Sequence, residues 1–261
     1  MTEVFRWEEA PVADFAVIGD PVGHSRSPRM HQAAYDALKL PYRYVAVHVG
    51  RGSVGKALDR LAALGYRGVN VTVPHKEEAL AWAAQADELS RRIGAANTLR
   101  LATKEATNTD AGGFLDTIQG LAGREATMLG AGGTARALAA VLPGAGYQVR
   151  VWNRTRERAM ALADEFGLSV LEEPTVDADL VVNTTSAGLH GDRLPLDWSE
   201  ARNGTVAYDL VYGETPFLTE AAARGLRTID GQSLLVAQGA RSFEWWLGLT
   251  PSREAMAEAI R

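Results

Sequence analysis

Short apolar segments alternate with amphipathic segments along nearly the whole chain. Apolar runs and two-residue alternation predict strands, and apolar residues at helical spacing predict helices. The predicted strands lie at 15–18, 42–49, 68–73, 126–129, 149–153, 180–183, 206–210 and 227–229, and the predicted helices lie at 28–39, 53–64, 76–82, 87–93, 110–119, 135–142 and 231–246. Strands that alternate with helices are typical of α/β proteins with open, largely parallel sheets.

A glycine-rich turn joins the predicted strand at 126–129 to the predicted helix at 135–142. It reads Gly130-Ala131-Gly132-Gly133-Thr134-Ala135. Glycines let the backbone turn tightly and approach phosphates, and the free N–H groups and dipole of a helix N-terminus favour an anion. Between a strand and a helix, this motif predicts a Rossmann-type site for a dinucleotide pyrophosphate.

The next predicted strand indicates which dinucleotide is bound. It ends in Asn153-Arg154-Thr155, followed by Arg156 and Arg158. Roughly 20 residues past the glycines, an NAD-binding protein usually has an acidic residue. The amide, guanidinium and hydroxyl groups found here suit a ribose 2′-phosphate. The alternative is a chance glycine pattern followed by the solvated start of a helix. We favour NADP because strand, turn, helix and basic strand end occur together.

Length and chain order predict two domains. A chain of 261 residues is long for a single core. The helix at 231–246 could cross back to the first domain, which would then be discontinuous in sequence. We expect a substrate-binding domain formed by residues 1–103 and 238–261, and an NADP-binding Rossmann domain formed by residues 104–237.

Composition and charge narrow the kinds of site. The chain has no cysteine, which excludes disulfides and thiolate ligands, and its five histidines form no H-E-x-x-H pair, so we expect no metal. Its formal net charge is −5, with basic and acidic residues mixed, which argues against nucleic-acid binding. No apolar run could span a bilayer, and the acidic N-terminal segment is unlike a signal peptide. We expect a cytoplasmic protein that binds small molecules.

Polar motifs recur along the chain besides the glycine turn and the basic strand end. In chain order they are Gly23-His-Ser-Arg-Ser-Pro28, Asn70-Val-Thr-Val-Pro-His-Lys76, Gly94-Ala-Ala-Asn-Thr98, Asn108-Thr-Asp110, Asn183-Thr-Thr-Ser-Ala-Gly188, Tyr212-Gly-Glu-Thr-Pro216 and Gln238. From residue 18 to residue 248, these motifs resemble those of the shikimate dehydrogenase family, whose members use NADPH to reduce 3-dehydroshikimate to shikimate in aromatic amino acid biosynthesis. The resemblance implies a two-domain α/β enzyme with its active site in the interdomain cleft. The sequence departs from the family pattern at Ala96, Ala111 and Leu234, and we expect these departures to affect packing rather than proton transfer.

The resemblance assigns the catalytic pair to Lys76 and Asp110. Ketone reduction needs a hydride from the nicotinamide and a proton for the developing alkoxide, and a lysine ammonium can both stabilise that oxygen and donate the proton. The carboxylate would orient the ammonium and relay protons. Without the resemblance, Lys76 would be an exposed residue in the first turn of a helix, and Asp110 would be a helix N-cap.

The resemblance also implies which residues hold the substrate, which carries a carboxylate and three hydroxyls. Hydroxyls beside a helix N-terminus suit the carboxylate, and side chains that both donate and accept suit the hydroxyls. These residues are Ser25 and Ser27 for the carboxylate, Asn70, Thr72, Asn97 and Gln238 for the hydroxyls, and Tyr212, which either closes over the substrate or packs the cleft. Each has a plainer alternative: Ser27 as the N-cap before Pro28, Asn70 and Thr72 as ordinary strand residues, and Asn97 as a turn residue. We interpret His24 and His75 as loop residues.

The residues implied at NADP extend beyond the glycine turn. They are Gly130, Ala131, Gly132, Gly133, Thr134, Ala135, Asn153, Arg154, Thr155, Arg158, Thr184, Ser186 and Gly231. We expect a monomer or a homodimer. Two other functions fit the same motifs: a related dehydrogenase that acts on quinate, perhaps with NAD, and a non-catalytic NADP-binding sensor or scaffold. The basic strand end disfavours NAD, and the presence of both Lys76 and Asp110 disfavours the sensor.

Overall fold

The computed structural model describes residues 3–188 and 191–261, so that His190, one of the five histidines, lies outside the described residues. The chain forms two compact units. The first extends to Gly113 and resumes with Leu235–Arg261, and the second is Phe114–Leu234. The first unit extends beyond residue 103 because a strand at Glu105–Thr107 pairs within its sheet.

The first unit is built on a seven-stranded sheet. Its strands are β1 (Val4–Arg6), β2 (Phe15–Gly19), β3 (Tyr44–His48), β4 (Gly68–Val71), β5 (Gln85–Ala86), β6 (Thr98–Arg100) and β7 (Glu105–Thr107), in the order β1-β3-β2-β4-β6-β7-β5. The pairs from β1 to β4 are parallel, as the alternation predicts. In addition, β6 pairs antiparallel with both β4 and β7.

The second unit contains a six-stranded, fully parallel sheet. Its strands are β8 (Glu125–Leu129), β9 (Gln148–Trp152), β10 (Ser169–Val170), β11 (Leu180–Asn183), β12 (Val206–Asp209) and β13 (Arg227–Ile229), in the order β10-β9-β8-β11-β12-β13. Counted within the unit, this is the 3-2-1-4-5-6 order of a Rossmann fold, whose ligand crevice lies at the carboxyl ends where the strand order reverses.

Helices connect the strands of both sheets. In the described part of the chain they are α1 (Ser27–Ala37), α2 (Val54–Ala63), α3 (Lys76–Trp82), α4 (Glu88–Ile93), α5 (Thr109–Thr117), α6 (Gly133–Val141), α7 (Arg156–Phe166), α8 (Pro216–Ala223), α9 (Gly231–Leu247) and α10 (Arg253–Glu258). Short 3₁₀ helices lie at Trp7–Glu9 and Trp198–Glu200.

The N-terminus of α1 differs from the sequence prediction. Ser27 is the first helical residue and not the N-cap, a position that Arg26 occupies without a side-chain hydrogen bond. The backbone N–H of Ser27 instead donates to Ser25 Oγ at 3.3 Å. The helix ends at Ala37, before Lys39, whose φ of 53° is left-handed and incompatible with helix continuation.

Both faces of the first sheet are covered. Along β2, Phe15 and Val17 pack in one hydrophobic cluster, and Ala16 and Ile18 pack in the cluster on the other face. All of β2 is therefore buried, which explains why its sequence is a continuous apolar run.

Helices α5 and α9 approach each other closely at Gly113. A Cβ added at Gly113 would lie 2.7 Å from the backbone nitrogen of Gln238 and 2.9 Å from its Cα. Only glycine permits this spacing between α5 and α9. Since α5 carries Asp110 in its first turn and α9 carries Gln238, the contact brings these two residues into the same region of the first unit.

Candidate active site

Neighbouring segments of the first sheet deliver the predicted catalytic residues to one place. Strand β4 leads through a short loop to Lys76 at the start of α3, and Asn97 immediately precedes β6. Strands β4 and β6 are paired, with Asn70 opposite Thr98. The chain then returns along β7 to α5, where Asp110 lies in the first turn.

Lys76 and Asp110 form a mostly buried ion pair. Lys76 Nζ lies 2.7 Å from Asp110 Oδ2, and the two side chains are 17% and 10% exposed. The alternative of an exposed helix-start lysine is therefore wrong. Asp110 is not the N-cap either, because Asn108 Oδ1 accepts the backbone N–H groups of Asp110 and Ala111 at 3.1 and 3.3 Å. This leaves both Asp110 oxygens available to side chains.

Asn97 holds the second carboxylate oxygen. Its Nδ2 donates to Asp110 Oδ1 at 2.9 Å and lies 3.4 Å from Gln238 Oε1. Its Oδ1 accepts the backbone N–H of Thr109 at 2.8 Å, which sets the orientation of the carboxamide. Lys76, Asp110, Asn97 and Gln238 thus form one connected group, and Asn97 is more than a turn residue.

Asn70 makes its hydrogen bonds inside the unit. Its Nδ2 lies 3.0 Å from Ser242 Oγ and 3.1 Å from Thr98 Oγ1, and its Oδ1 accepts from the Tyr44 hydroxyl at 2.8 Å. The residue is 6% exposed. Asn70 belongs to the same network, because its Nδ2 also donates to the backbone carbonyl of Asn97 at 3.2 Å.

The other predicted substrate residues, Ser25, Ser27, Thr72 and Tyr212, differ in how far they are buried. Ser27 is buried, whereas Ser25 and Thr72 are half-buried. Tyr212 belongs to the second unit and is 39% exposed. His75 lies outside any helix or strand, as predicted, at the N-cap position of α3; it is nevertheless buried, and its Nε2 lies 2.6 Å from the Val49 carbonyl oxygen.

The glycine turn of the second unit contains glycines of two kinds. Gly130 has a φ of +114°, and a Cβ there would lie 2.4 Å from Thr184 Oγ1. A Cβ on Gly132 or Gly133 would meet no atom within 4 Å. Helix α6 begins at Gly133, and its N-cap Gly132 offers no side chain to cap it. The free N–H groups and the open space beside them fit the pyrophosphate of a dinucleotide.

The basic end of β9 also fits a charged ligand. Arg154 and Arg158 are exposed, whereas Arg156 is ion-paired with Glu172. Asn153 Nδ2 donates to the backbone carbonyl of Thr155 at 2.8 Å. The turn that follows β9 is therefore fixed locally while two guanidinium groups stay exposed, an arrangement suited to a 2′-phosphate.

The remaining predicted cofactor residues lie near the other strand ends of this sheet. Thr184 follows β11 and donates through Oγ1 to the Leu129 carbonyl at 2.8 Å, and Ser186 is exposed. Gly231 begins α9, and a Cβ there would lie 2.2 Å from the Leu210 carbonyl oxygen. Ala131, Thr134 and Ala135 complete the glycine turn and the first turn of α6.

Asp209 anchors the loop that carries Tyr212. The carboxylate accepts from Thr215 Oγ1 at 2.7 Å, from the backbone N–H of Val211 at 3.0 Å and from Asn183 Nδ2 at 3.1 Å. Burial raises the pKa of the Asp209 carboxyl above its usual range despite these three donors. The loop after β12 is thus tied to the end of β11.

Comparison with known proteins agrees with this arrangement. Three family models match: the shikimate dehydrogenase substrate binding domain over residues 17–99, shikimate / quinate 5-dehydrogenase over residues 115–190, and the shikimate 5'-dehydrogenase C-terminal domain over residues 233–261. The shikimate dehydrogenase (NADP(+)) of Natronomonas pharaonis is 42% identical over 259 residues, which cover 95% of this chain and 98% of that protein. The chain belongs to the shikimate dehydrogenase family.

Solved structures of the family share the whole fold. Shikimate 5-dehydrogenase from Thermus thermophilus, in complex with NADP(H) and shikimate, has a TM-score of 0.88 and 41% identity, with 98% of each chain covered. Shikimate dehydrogenase from Aquifex aeolicus has a TM-score of 0.90 and 33% identity, covering 95% of this chain and 97% of that one. The predicted two-domain α/β fold is confirmed.

The family motifs account for the residues predicted at the site, but not for every residue in the polar network. Thr98 and Thr109 lie within family motifs, yet the motifs do not indicate their contacts with Asn97, Asn70 and Ser242. Ser242 follows Gln238 by one helical turn, and this spacing is the only sequence signal that places it beside the site. No group of three potential metal ligands occurs in residues 3–188 and 191–261, and no helix there is long and apolar enough to cross a membrane.

Proposed function

We propose that this chain catalyses the NADP-dependent, reversible reduction of 3-dehydroshikimate to shikimate. The observation that carries the proposal is the Lys76–Asp110 ion pair at 2.7 Å, with Asn97 on the second carboxylate oxygen. Bound NADPH would supply the hydride. Lys76 would supply the proton and stabilise the negative charge that develops on the ketone oxygen.

Asp110 and Asn97 orient the proton donor. Asp110 Oδ2 holds the Lys76 ammonium, while Asn97 Nδ2 holds Oδ1, so the carboxylate cannot rotate without breaking a hydrogen bond. In the reverse direction the same lysine accepts the proton of the substrate hydroxyl, and Asp110 stabilises the resulting ammonium. The mostly buried setting strengthens both interactions relative to water.

We propose that the first unit binds the substrate and the second unit binds NADP. Ser25 and Ser27 would hold the substrate carboxylate near the start of α1, and Asn70, Thr72, Asn97 and Gln238 would hold its hydroxyls. Tyr212 would contact the substrate from the second unit. The cofactor would be held by Gly130, Ala131, Gly132, Gly133, Thr134, Ala135, Asn153, Arg154, Thr155, Arg158, Thr184, Ser186 and Gly231. We also propose a cytoplasmic monomer or homodimer, in keeping with the ordinary charged fraction of 23%.

The proposal is tested by following NADP or NAD reduction with shikimate and, separately, with quinate. We expect shikimate with NADP to give the highest kcat/KM of the four combinations. Comparable turnover of quinate would instead identify a dehydrogenase that also acts on quinate. The match of residues 115–190 to the shikimate / quinate 5-dehydrogenase model is the reason to test quinate. NADP binding without turnover of either substrate would support the sensor and refute the proposed reaction.

A further inference from the structure

Ser242, on α9, is a fully buried hydroxyl at the centre of the polar network. It is 0% exposed, and its Oγ donates to the Gln238 carbonyl at 3.0 Å. The same oxygen lies 3.0 Å from Asn70 Nδ2, 2.8 Å from Thr98 Oγ1 and 3.1 Å from Thr109 Oγ1. Four groups from four segments of the first unit therefore converge on one serine side chain.

The directions of these bonds limit how Asn70 can be oriented. A hydroxyl has one proton and two lone pairs. Since the Ser242 proton is used on the Gln238 carbonyl, its lone pairs must accept, one of them from Asn70 Nδ2. Tyr44 donates to Asn70 Oδ1 from the other side. Flipping the Asn70 carboxamide would place its Oδ1 against the Asn97 backbone carbonyl, acceptor against acceptor. Ser242 could then pair with it only by giving up its bond to the Gln238 carbonyl.

Ser242 contacts the substrate-binding side of the network and not the catalytic pair. Its direct partners include the Asn70 side chain and the Gln238 backbone carbonyl, which belong to two residues whose side chains are assigned to substrate hydroxyls, while Lys76 and Asp110 are not among its partners. Because Ser242 is fully buried, its own side chain is not available to a ligand. Any effect on the reaction must pass through its neighbours.

We propose that Ser242 is a positioning residue for substrate binding, which holds the Asn70 carboxamide and the Gln238 turn of α9 in the orientation that the substrate hydroxyls require. The inference rests on the proposed function. Replacing Ser242 should therefore change KM rather than kcat, since Lys76 and Asp110, the ion pair proposed to transfer the proton, keep their own hydrogen-bond partners.

The test is the Ser242→Ala variant of the full chain, assayed with shikimate and NADP. We expect KM for shikimate to rise roughly tenfold, as for one lost hydrogen bond, with kcat changed less than about twofold. The dissociation constant of NADP should not change. The matched control is Ser90→Ala on α4, because Ser90 is equally buried and its Oγ has no hydrogen-bond partner among the described residues. Its kinetic constants should equal those of the wild type.

Ser242→Cys keeps nearly the same volume and replaces the hydroxyl with a weak thiol donor, so it serves if the alanine variant does not fold. An unchanged KM in the folded variant overturns the proposal. The proposal is also overturned if KM for shikimate rises while kcat and NADP affinity fall by a similar factor, because that result would indicate a general disturbance of the fold. Wild-type protein that does not oxidise shikimate would instead refute the proposed function, independently of Ser242.

Discussion

Replacing Lys76 with methionine tests the assignment of the proton donor. The substitution keeps most of the aliphatic stem but removes the ammonium that lies 2.7 Å from Asp110 Oδ2. Asn97 would still hold Oδ1, so the carboxylate keeps one of its two side-chain partners. The variant therefore removes the proposed acid while leaving the remainder of the network in place.

The structure sets the size of the two expected effects. Loss of a positioned general acid lowers turnover by about 10²- to 10⁴-fold, equivalent to about 3–5 kcal/mol in the activation barrier. Breaking a fully buried ion pair costs about 3–5 kcal/mol of folding stability. Here the side chains keep 17% and 10% exposure, so we expect a smaller loss of about 1–3 kcal/mol. A typical domain tolerates such a loss and stays folded.

The assay combines kcat for shikimate oxidation, fluorescence titration with NADPH, and thermal unfolding. NADPH affinity should be unchanged, because the glycine turn belongs to the other unit. The matched control is Lys104→Met, since Lys104 Nζ pairs with Asp59 Oδ1 at 3.1 Å with both side chains exposed. That variant should turn over normally. Near-normal turnover of Lys76→Met, or equal losses in both variants, would refute the reasoning.

Other expectations concern the second unit and pH. Gly132→Ala should fold normally, because the added Cβ meets no protein atom within 4 Å, but it should bind NADP more weakly, because that Cβ enters the space proposed for the pyrophosphate. Gly130→Ala should instead lower the free energy of unfolding, because the φ of Gly130 is +114°. Titration with NADP and NAD should show that Arg154→Ala loses about tenfold in NADP affinity and little in NAD affinity. Arg156→Ala should lose less NADP affinity than Arg154→Ala, because the Arg156 guanidinium is already ion-paired with Glu172. Burial lowers the pKa of the His31 imidazole from 6.5 to about 3. Below pH 6.5 the unfolded chain therefore binds a proton that the folded chain does not. Urea unfolding should show stability falling by up to about 1.4 kcal/mol per pH unit between these values, less steeply in His31→Phe. An equal response of NADP and NAD to Arg154→Ala, or an unchanged pH slope in His31→Phe, would contradict these expectations.

Strong local signals explain which elements the sequence predicts well. Helix α3 has the predicted bounds, 76–82, because its apolar spacing is helical and Pro74 lies just before it; the preceding strand has already ended at Val71. The pattern does not predict β10, which has two residues, or the antiparallel strands β6 and β7, which have three each. Strands of two or three residues carry too few residues to show a full alternation, although the apolar pattern does predict the three-residue β13 at 227–229.

The polar network shows where sequence reasoning about the site ends. The residue types at Lys76 and Asp110 indicate the chemistry, but their pairing spans 34 positions and follows from the resemblance alone. The contact between Asn70 and Ser242 spans 172 positions and depends on how closely α9 approaches the sheet. Asn108 rather than Asp110 caps α5, a choice between two nearby polar residues that depends on their tertiary partners.

The most direct test of the proposed function is the initial rate of NADPH oxidation by purified protein supplied with 3-dehydroshikimate, with the product identified by NMR. The proposed reaction predicts that one shikimate forms for each NADPH consumed, and that NADH supports a much lower rate. Failure to consume NADPH, or formation of a product other than shikimate, would contradict it.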